Sequence, residues 1–141
     1  MSNKTGQCLC GAIRYQITEE PLATRVCWCH DCQRIASNGT VNIMVPTGAL
    51  HIQGEPQTFV SVADSGNRIT RRFCPQCGSH LFANSSARPQ FTVVRVGTLD
   101  DPSSIKPTMN IWTVSAPSWA CLDTQLENVA QQPVPPQAVT Q

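Results

Sequence analysis

The first thing missing from this 141-residue chain is a long hydrophobic run. No apolar stretch approaches the roughly 18 residues of a membrane-spanning helix. Charge is also scarce: 13% of residues are charged and the formal net charge is +1. That leaves none of the strongly basic surface that holds nucleic acid or an anionic membrane, so neither is expected as a partner. The opening Met1-Ser2-Asn3-Lys4-Thr5-Gly6-Gln7 lacks the apolar core of a secretory leader. We therefore expect a soluble, cytoplasmic protein. The length fits one domain with a modest core.

Cysteine, in contrast, is plentiful. The eight cysteines are clustered: Cys8 and Cys10 as C-x-C, Cys27, Cys29 and Cys32 as C-x-C-x-x-C, Cys74 and Cys77 as C-P-x-C-G, with Cys121 alone. A disulfide framework is disfavoured by a reducing compartment, and the two cysteines of a C-x-C are badly placed to pair with each other. Thiols this close together hold a soft metal or do redox chemistry. Two short knuckles from distant parts of a chain commonly close one tetrahedral zinc site. Cys8 and Cys10 with Cys74 and Cys77 would do so without remainder. Joining Cys74 and Cys77 to two thiols of the 27–32 cluster is the other pairing, and spacing allows both. Under the first pairing Cys27, Cys29 and Cys32 form a three-thiolate site with an open fourth position, as in catalytic zinc sites. Zinc is the default metal for an all-thiolate site; an iron–sulfur cluster is the rival.

The remaining pattern is β-rich. Ile13, Tyr15 and Ile17 share one face of a strand that follows the first thiols, and Glu19-Glu20-Pro21 ends it. Further strands are expected at Val41 to Val45, Leu50 to Ile52, Thr58 to Val62, Arg68 to Phe73, Leu81 to Ala83, Phe91 to Gly97 and Asn110 to Val114. A hairpin turn is expected at Asp64-Ser65-Gly66-Asn67. Residues 33–39 read as a short helix or turn. In the knuckle, Pro75 stiffens the turn, and Gly78 permits a positive φ that aims backbone amides at the sulfurs. The expected organisation is a loose start over residues 1–5, a zinc-binding domain over 6–125 and a disordered Pro/Gln-rich tail over 126–141.

Taken in order, G-x-C-x-C-G-x-I-x-Y, C-x-C-x-x-C-x-R, R-x-F-C-P-x-C-G-S-x-L-F, V-G-x-L-D-D-P and I-W resemble the glutathione-dependent formaldehyde-activating enzyme family, and centromere protein V carries a similar domain. The likeness runs from about Gly6 to about Trp119. It implies a mainly β single domain of several short coiled antiparallel sheets, of the Mss-four-like or β-tent type. It implies two zincs per chain: a structural one on Cys8, Cys10, Cys74 and Cys77, and a more labile, open one on Cys27, Cys29 and Cys32. The family activity is that of a carbon–sulfur lyase joining formaldehyde to glutathione to give S-hydroxymethylglutathione. The expected partner is thus a small thiol or its aldehyde adduct, held by substrate thiol binding at the open position.

Around these sites Arg34, Arg71 and Arg72 are candidates to grip substrate carboxylates, or else solvated strand faces. His30 is a solvent-facing turn residue, or else a general base or fourth ligand, His80 a strand-edge residue and His51 a surface one. Trp28 walls a pocket or packs; Trp112, Trp119 and the lone Cys121 are expected to be buried. No general base is legible. A non-catalytic zinc scaffold of the same fold, and a redox-sensing thiol cluster, are the competing functions.

Overall fold

A computed structural model describes residues 3–63 and 65–134. The strands in chain order are β1 (Lys4–Gln7), β2 (Arg14–Ile17), β3 (Ala23–Cys27), β4 (Thr40–Pro46), β5 (Leu50–Gln53), β6 (Gln57–Val62), β7 (Arg68–Phe73), β8 (His80–Ser85), β9 (Phe91–Arg95), β10 (Met109–Ile111) and β11 (Glu127–Val129), with one α-helix, α1 (His30–Ala36), between β3 and β4. The mainly β, single-domain character expected from the sequence is what the chain adopts. Its strands gather into two sheets, β1-β2-β5 and β11-β10-β3-β4-β9-β8-β7-β6. All pairings are antiparallel except those of β10, which runs parallel to both β3 and β11.

Alternation decides which face of the large sheet is core. Thr24, Ile43, Val94, Phe82 and Arg72 form one cross-strand row. Ile43, Val94 and Phe82 of that row are fully buried. They meet Ile13, Tyr15 and Ile17, the buried side of the small sheet, and the Tyr15 ring stands edge-on to Phe82. The next row, offset by one residue, is Ala23, Met44, Val93, Ala83 and Arg71, with Arg25, Asn42 and Arg95 two residues further on. Side chains on a strand alternate between faces, so these two rows form the opposite surface, away from the core.

Three local features depart from expectation. Lys4–Gln7, whose first two residues were placed in a loose start, is a strand paired with β2. Gly6 sits there because Tyr15 occupies the space its side chain would need: a Cβ would lie 2.2 Å from the Tyr15 hydroxyl. Residues Glu127–Val129, assigned to a disordered tail, form β11, because the exposed edge of β10 supplies backbone partners in register. Residues 135–141 of that tail, and Asp64 of the hairpin turn, lie outside the described residues. The helix starts earlier than expected, at His30 inside the thiol-rich stretch. Cys29 is its N-cap, its sulfur accepting from the Cys32 N–H, and Ser37 closes it in the left-handed region.

Candidate metal centres and an arginine-lined cleft

The first thiol group gathers Cys8, Cys10, Cys74 and Cys77, the pairing of the two knuckles. Cys8 and Cys74 are core residues. Each knuckle is closed by its own backbone: Gly11 N–H donates to Cys8 O, and Gly78 N–H to Cys74 O. Both glycines have positive φ, +82° and +80°. Amides donate to the sulfurs, Ile13 N–H to Cys8 Sγ at 3.3 Å and Gln76 N–H to Cys74 Sγ at 3.4 Å. Such bonds favour thiolate. Ser79 joins the knuckles, its hydroxyl 3.2 Å from Cys77 Sγ and accepting from Leu9 N–H. That hydroxyl and the Ser79 backbone lower the Cys77 thiol to about 5. The sulfur spacing tests the fit to a metal. Cys10 Sγ lies 3.7 Å from both Cys8 Sγ and Cys74 Sγ, against the S···S edge of about 3.8 Å that follows from tetrahedral Zn–S bonds. The donor set and its spacing fit zinc.

The second group, Cys27, Cys29 and Cys32, also has its sulfurs within 4.8 Å of one another. Cys27 ends β3, and the other two come from the cap and first turn of α1. Cys27 and Cys32 are buried while Cys29 is partly exposed. Hydrogen bonds within the trio divide the protons unequally. Those from Cys27 and Cys29 pull the Cys32 thiol down, helped by Arg95, and the same bonds push Cys27 up. Three thiolates cannot crowd together without a compensating cation; this donor set, too, fits zinc. Gln33 braces the helix against the cluster by donating to Trp28 O and Ser115 O.

The trio opens on a cavity of about 540 Å³ over the non-core face of the large sheet. Its floor is the two rows ending in Arg71 and Arg95, and Arg25 and Arg88 line it as well. The Arg71 side chain is buried. It donates to Ser61 Oγ at 2.9 Å and faces Asp31 at 3.5 Å. Asp31 precedes Cys32 in α1, so this pair ties the helix to β7. Arg95 donates to Asn42 Oδ1 and Thr40 Oγ1. The Nε atoms of both arginines are buried without a hydrogen-bond partner, as is His80 Nδ1. Burial, then Arg95 and Arg71, lower the His80 pKa.

Of the three arginines singled out from the sequence, Arg71 lines the cavity and the other two do not. Arg72 follows Arg71 on the same strand and so points to the opposite face, where its guanidinium lies 5.0 Å from the Phe82 ring centroid and donates to Asn84. Arg34 is exposed in the last turn of α1. Arg25, Arg88 and Arg95 escaped the sequence reading. Arg25 and Arg95 left a signal, a charge inside a strand and, for Arg25, the same parity as Cys27; Arg88, in the turn before β9, left none. His30 lies exposed at the cavity edge, beside the thiols. His80 is half-buried and stacked on Phe73, and His51 is exposed. Trp28 is buried, and Trp119 stands edge-on to it. Trp119 itself is 67% exposed and Cys121 is exposed, against the expectation of burial. Both sit in the irregular segment between β10 and β11. Trp112 is half-buried.

Comparison with known proteins agrees with this picture. The family described as glutathione-dependent formaldehyde-activating enzyme matches residues 3–115, a span that holds both thiol groups and all four cavity arginines. No curated protein matches the chain. A crystal structure of a Rhodobacter sphaeroides protein, from a structural genomics programme, is similar at 21% identity and a TM-score of 0.55, covering 73% of this chain and 91% of that one. At that identity the likeness speaks to the fold alone.

Proposed function

The chain belongs to the glutathione-dependent formaldehyde-activating enzyme family, and from that premise we infer that it is a zinc-dependent carbon–sulfur lyase, adding an aldehyde to a small thiol such as glutathione or removing it. The observation that carries this reading is the incomplete thiol trio facing a cavity large enough for a small peptide. Cys8, Cys10, Cys74 and Cys77 would hold a structural zinc, and Cys27, Cys29 and Cys32 a second. When bound there, zinc supplies an open coordination position that stabilises a substrate thiolate. A net negative three-thiolate site is a weak Lewis acid, which favours binding of the thiol over polarisation of the aldehyde.

The chain's own residues supply the rest. In the joining direction the thiol sulfur bonds to the carbonyl carbon, and the thiol proton ends on the former carbonyl oxygen; cleavage is the reverse. The His30 ring, exposed at the cavity beside the thiols, would carry that proton. Arg71 and Arg95 hold substrate carboxylate close to the trio. Ile111, Met109 and Val129 pack against the buried side of the cluster and keep water from it. Eight free thiols suit a reducing compartment, and we place the protein in the cytoplasm. Among the described residues no helix is long and apolar enough to cross a membrane.

The test is zinc content together with exchange of formaldehyde onto glutathione, followed by NMR. Two zincs per chain and an exchange rate above the uncatalysed one, lost in Cys29→Ser, are the expected outcome. Two tightly held zincs with no acceleration by any thiol would move the protein to the scaffold reading.

A further inference from the structure

Four of the chain's eight arginines line one cavity, although the whole chain carries a net charge of only +1. Among the described residues Asp31 is the single acidic side chain lining it, and Arg71 already faces that carboxylate. The cavity wall is therefore strongly positive and has no uncommitted carboxylate to receive an ammonium group. Arg71 and Arg95 each keep a buried Nε–H without an acceptor, a donor that a bound anion would satisfy.

Arg71 is tied to Ser61 and Asp31, and Arg95 to Asn42 and Thr40. The other two arginines of the wall are Arg25, two residues before Cys27 on the same strand face and in one cross-strand row with Asn42 and Arg95, and Arg88, in the turn before β9. Four guanidiniums on a wall whose one carboxylate is already taken are what a second anionic group would relieve.

We propose that the thiol this cavity selects carries two negative charges and no ammonium group, with its sulfur at Cys27, Cys29 and Cys32, one anionic charge against Arg71 and Arg95, and the other against Arg25 and Arg88. This rests on the thiol reading of the trio given above, and goes beyond it. Glutathione has two carboxylates but also an ammonium group, for which the described wall offers no free partner, so it is a poorer ligand than a plain dianionic thiol. Guanidinium forks accept carboxylate and phosphate alike, and the probes separate the two.

The experiment is calorimetric titration of the zinc-loaded full chain with mercaptosuccinate, pantetheine 4′-phosphate, glutathione, the neutral thiol N-acetylcysteamine and the thiol-free dianion succinate. Cobalt-substituted protein reports thiol arrival at the trio by its absorption. Mercaptosuccinate or the phosphorylated thiol should bind at least about tenfold tighter than glutathione, a difference of about 1.4 kcal/mol. The tighter of the two identifies the anion as dicarboxylate or phosphate. Arg88→Gln, a half-exposed turn position that leaves the fold intact, should weaken both and succinate at least about fivefold, and leave N-acetylcysteamine unchanged. Arg95→Gln should do the same, with Arg88→Gln deciding if it does not fold. Glutathione binding as tightly as the dianionic thiols, or Arg88→Gln leaving all ligands unchanged, overturns the inference while the thiol reading stands. Succinate binding without any thiol perturbing the cobalt spectrum overturns the thiol reading, and with it the inference, and leaves an anion cleft.

Discussion

The two thiol groups use the same ligand chemistry in opposite surroundings. One is assembled from segments some 66 residues apart (Cys8 to Cys74) and anchored in the main core among Ile13, Tyr15 and Phe82. Its sulfurs receive backbone amides. The other comes from six consecutive residues and belongs to a small satellite cluster with Ile111. It borders a cavity, and one of its sulfurs doubles as a helix cap. The number of ligands therefore follows from topology. Where two knuckles meet across the core the site closes, and where a single stretch bends around one helix end it runs out of donors. Filled by a metal, the first arrangement would tie the fold together, and the second would keep a position free for an exchanging ligand.

The most severe way to test this contrast is to remove one sulfur from each group. Structural zinc sites contribute apparent binding free energies of about 10 kcal/mol or more, against a total stability of about 5–15 kcal/mol for a domain. Cys74→Ser should therefore abolish cooperative unfolding by circular dichroism and leave an insoluble or molten chain. Cys29→Ser should retain the native spectrum and lose activity by about a hundredfold or more, the scale of an essential catalytic contact. Equal loss of structure in both variants would erase the distinction. Metal removal sharpens it without mutation. A chelator should strip one zinc at least about tenfold faster than the other, and added thiol should accelerate that first release alone.

How much of this could be read beforehand differs between the two groups. The C-x-C and C-P-x-C-G knuckles carry their geometry locally, in Gly11 and Gly78, so the four-thiol site was legible as soon as its pairing was guessed. The thiol trio was legible as a group too, but not the cavity it faces. That surface depends on registry, with Arg25 opposite Asn42 and Asn42 opposite Arg95, and no local pattern announces which strands will be neighbours. The strand β3 hides among the mixed residues of Ala23-Thr24-Arg25-Val26, since its pairing is fixed by β4 and β10 and not by its own alternation. The strands β1 and β11 were missed for the same reason: short polar segments become strands where an open edge offers hydrogen bonds. Trp119 and Cys121 were misplaced because residue type was taken as a guide to burial in a segment with no periodicity to orient it.

A gentler perturbation reaches the trio through its support. Gly39 packs against Trp28, and a Cβ there would lie 2.7 Å from the indole. Trp28 lies between Cys27 and Cys29, so Gly39→Ala should shift the tryptophan and the cap together. Overpacking of this kind costs about 1–3 kcal/mol. The melting temperature should fall by several degrees, and the exchangeable zinc should leave faster while the core zinc keeps its rate. A uniform change in both rates would mean that the two sites are mechanically coupled.

The smallest expected effect separates the faces of one strand. Arg71 and Arg72 are adjacent in sequence and equal in charge, so any argument from composition treats them alike. Arg72 covers Phe82 and bonds Asn84 on the core-facing side; a cation–π contact at a partly exposed site is worth about 0.5–1 kcal/mol. Arg72→Gln should lower stability by about that amount and alter thiol affinity less than about twofold. Arg71→Gln should weaken anionic thiols at least about tenfold, since it removes a buried donor from the cavity and leaves Asp31 without its partner. If titration found the two variants equivalent, the arginines would be acting through net charge alone. The row of side chains that turns Arg71 towards the thiols and Arg72 towards the core would then have no part in recognition.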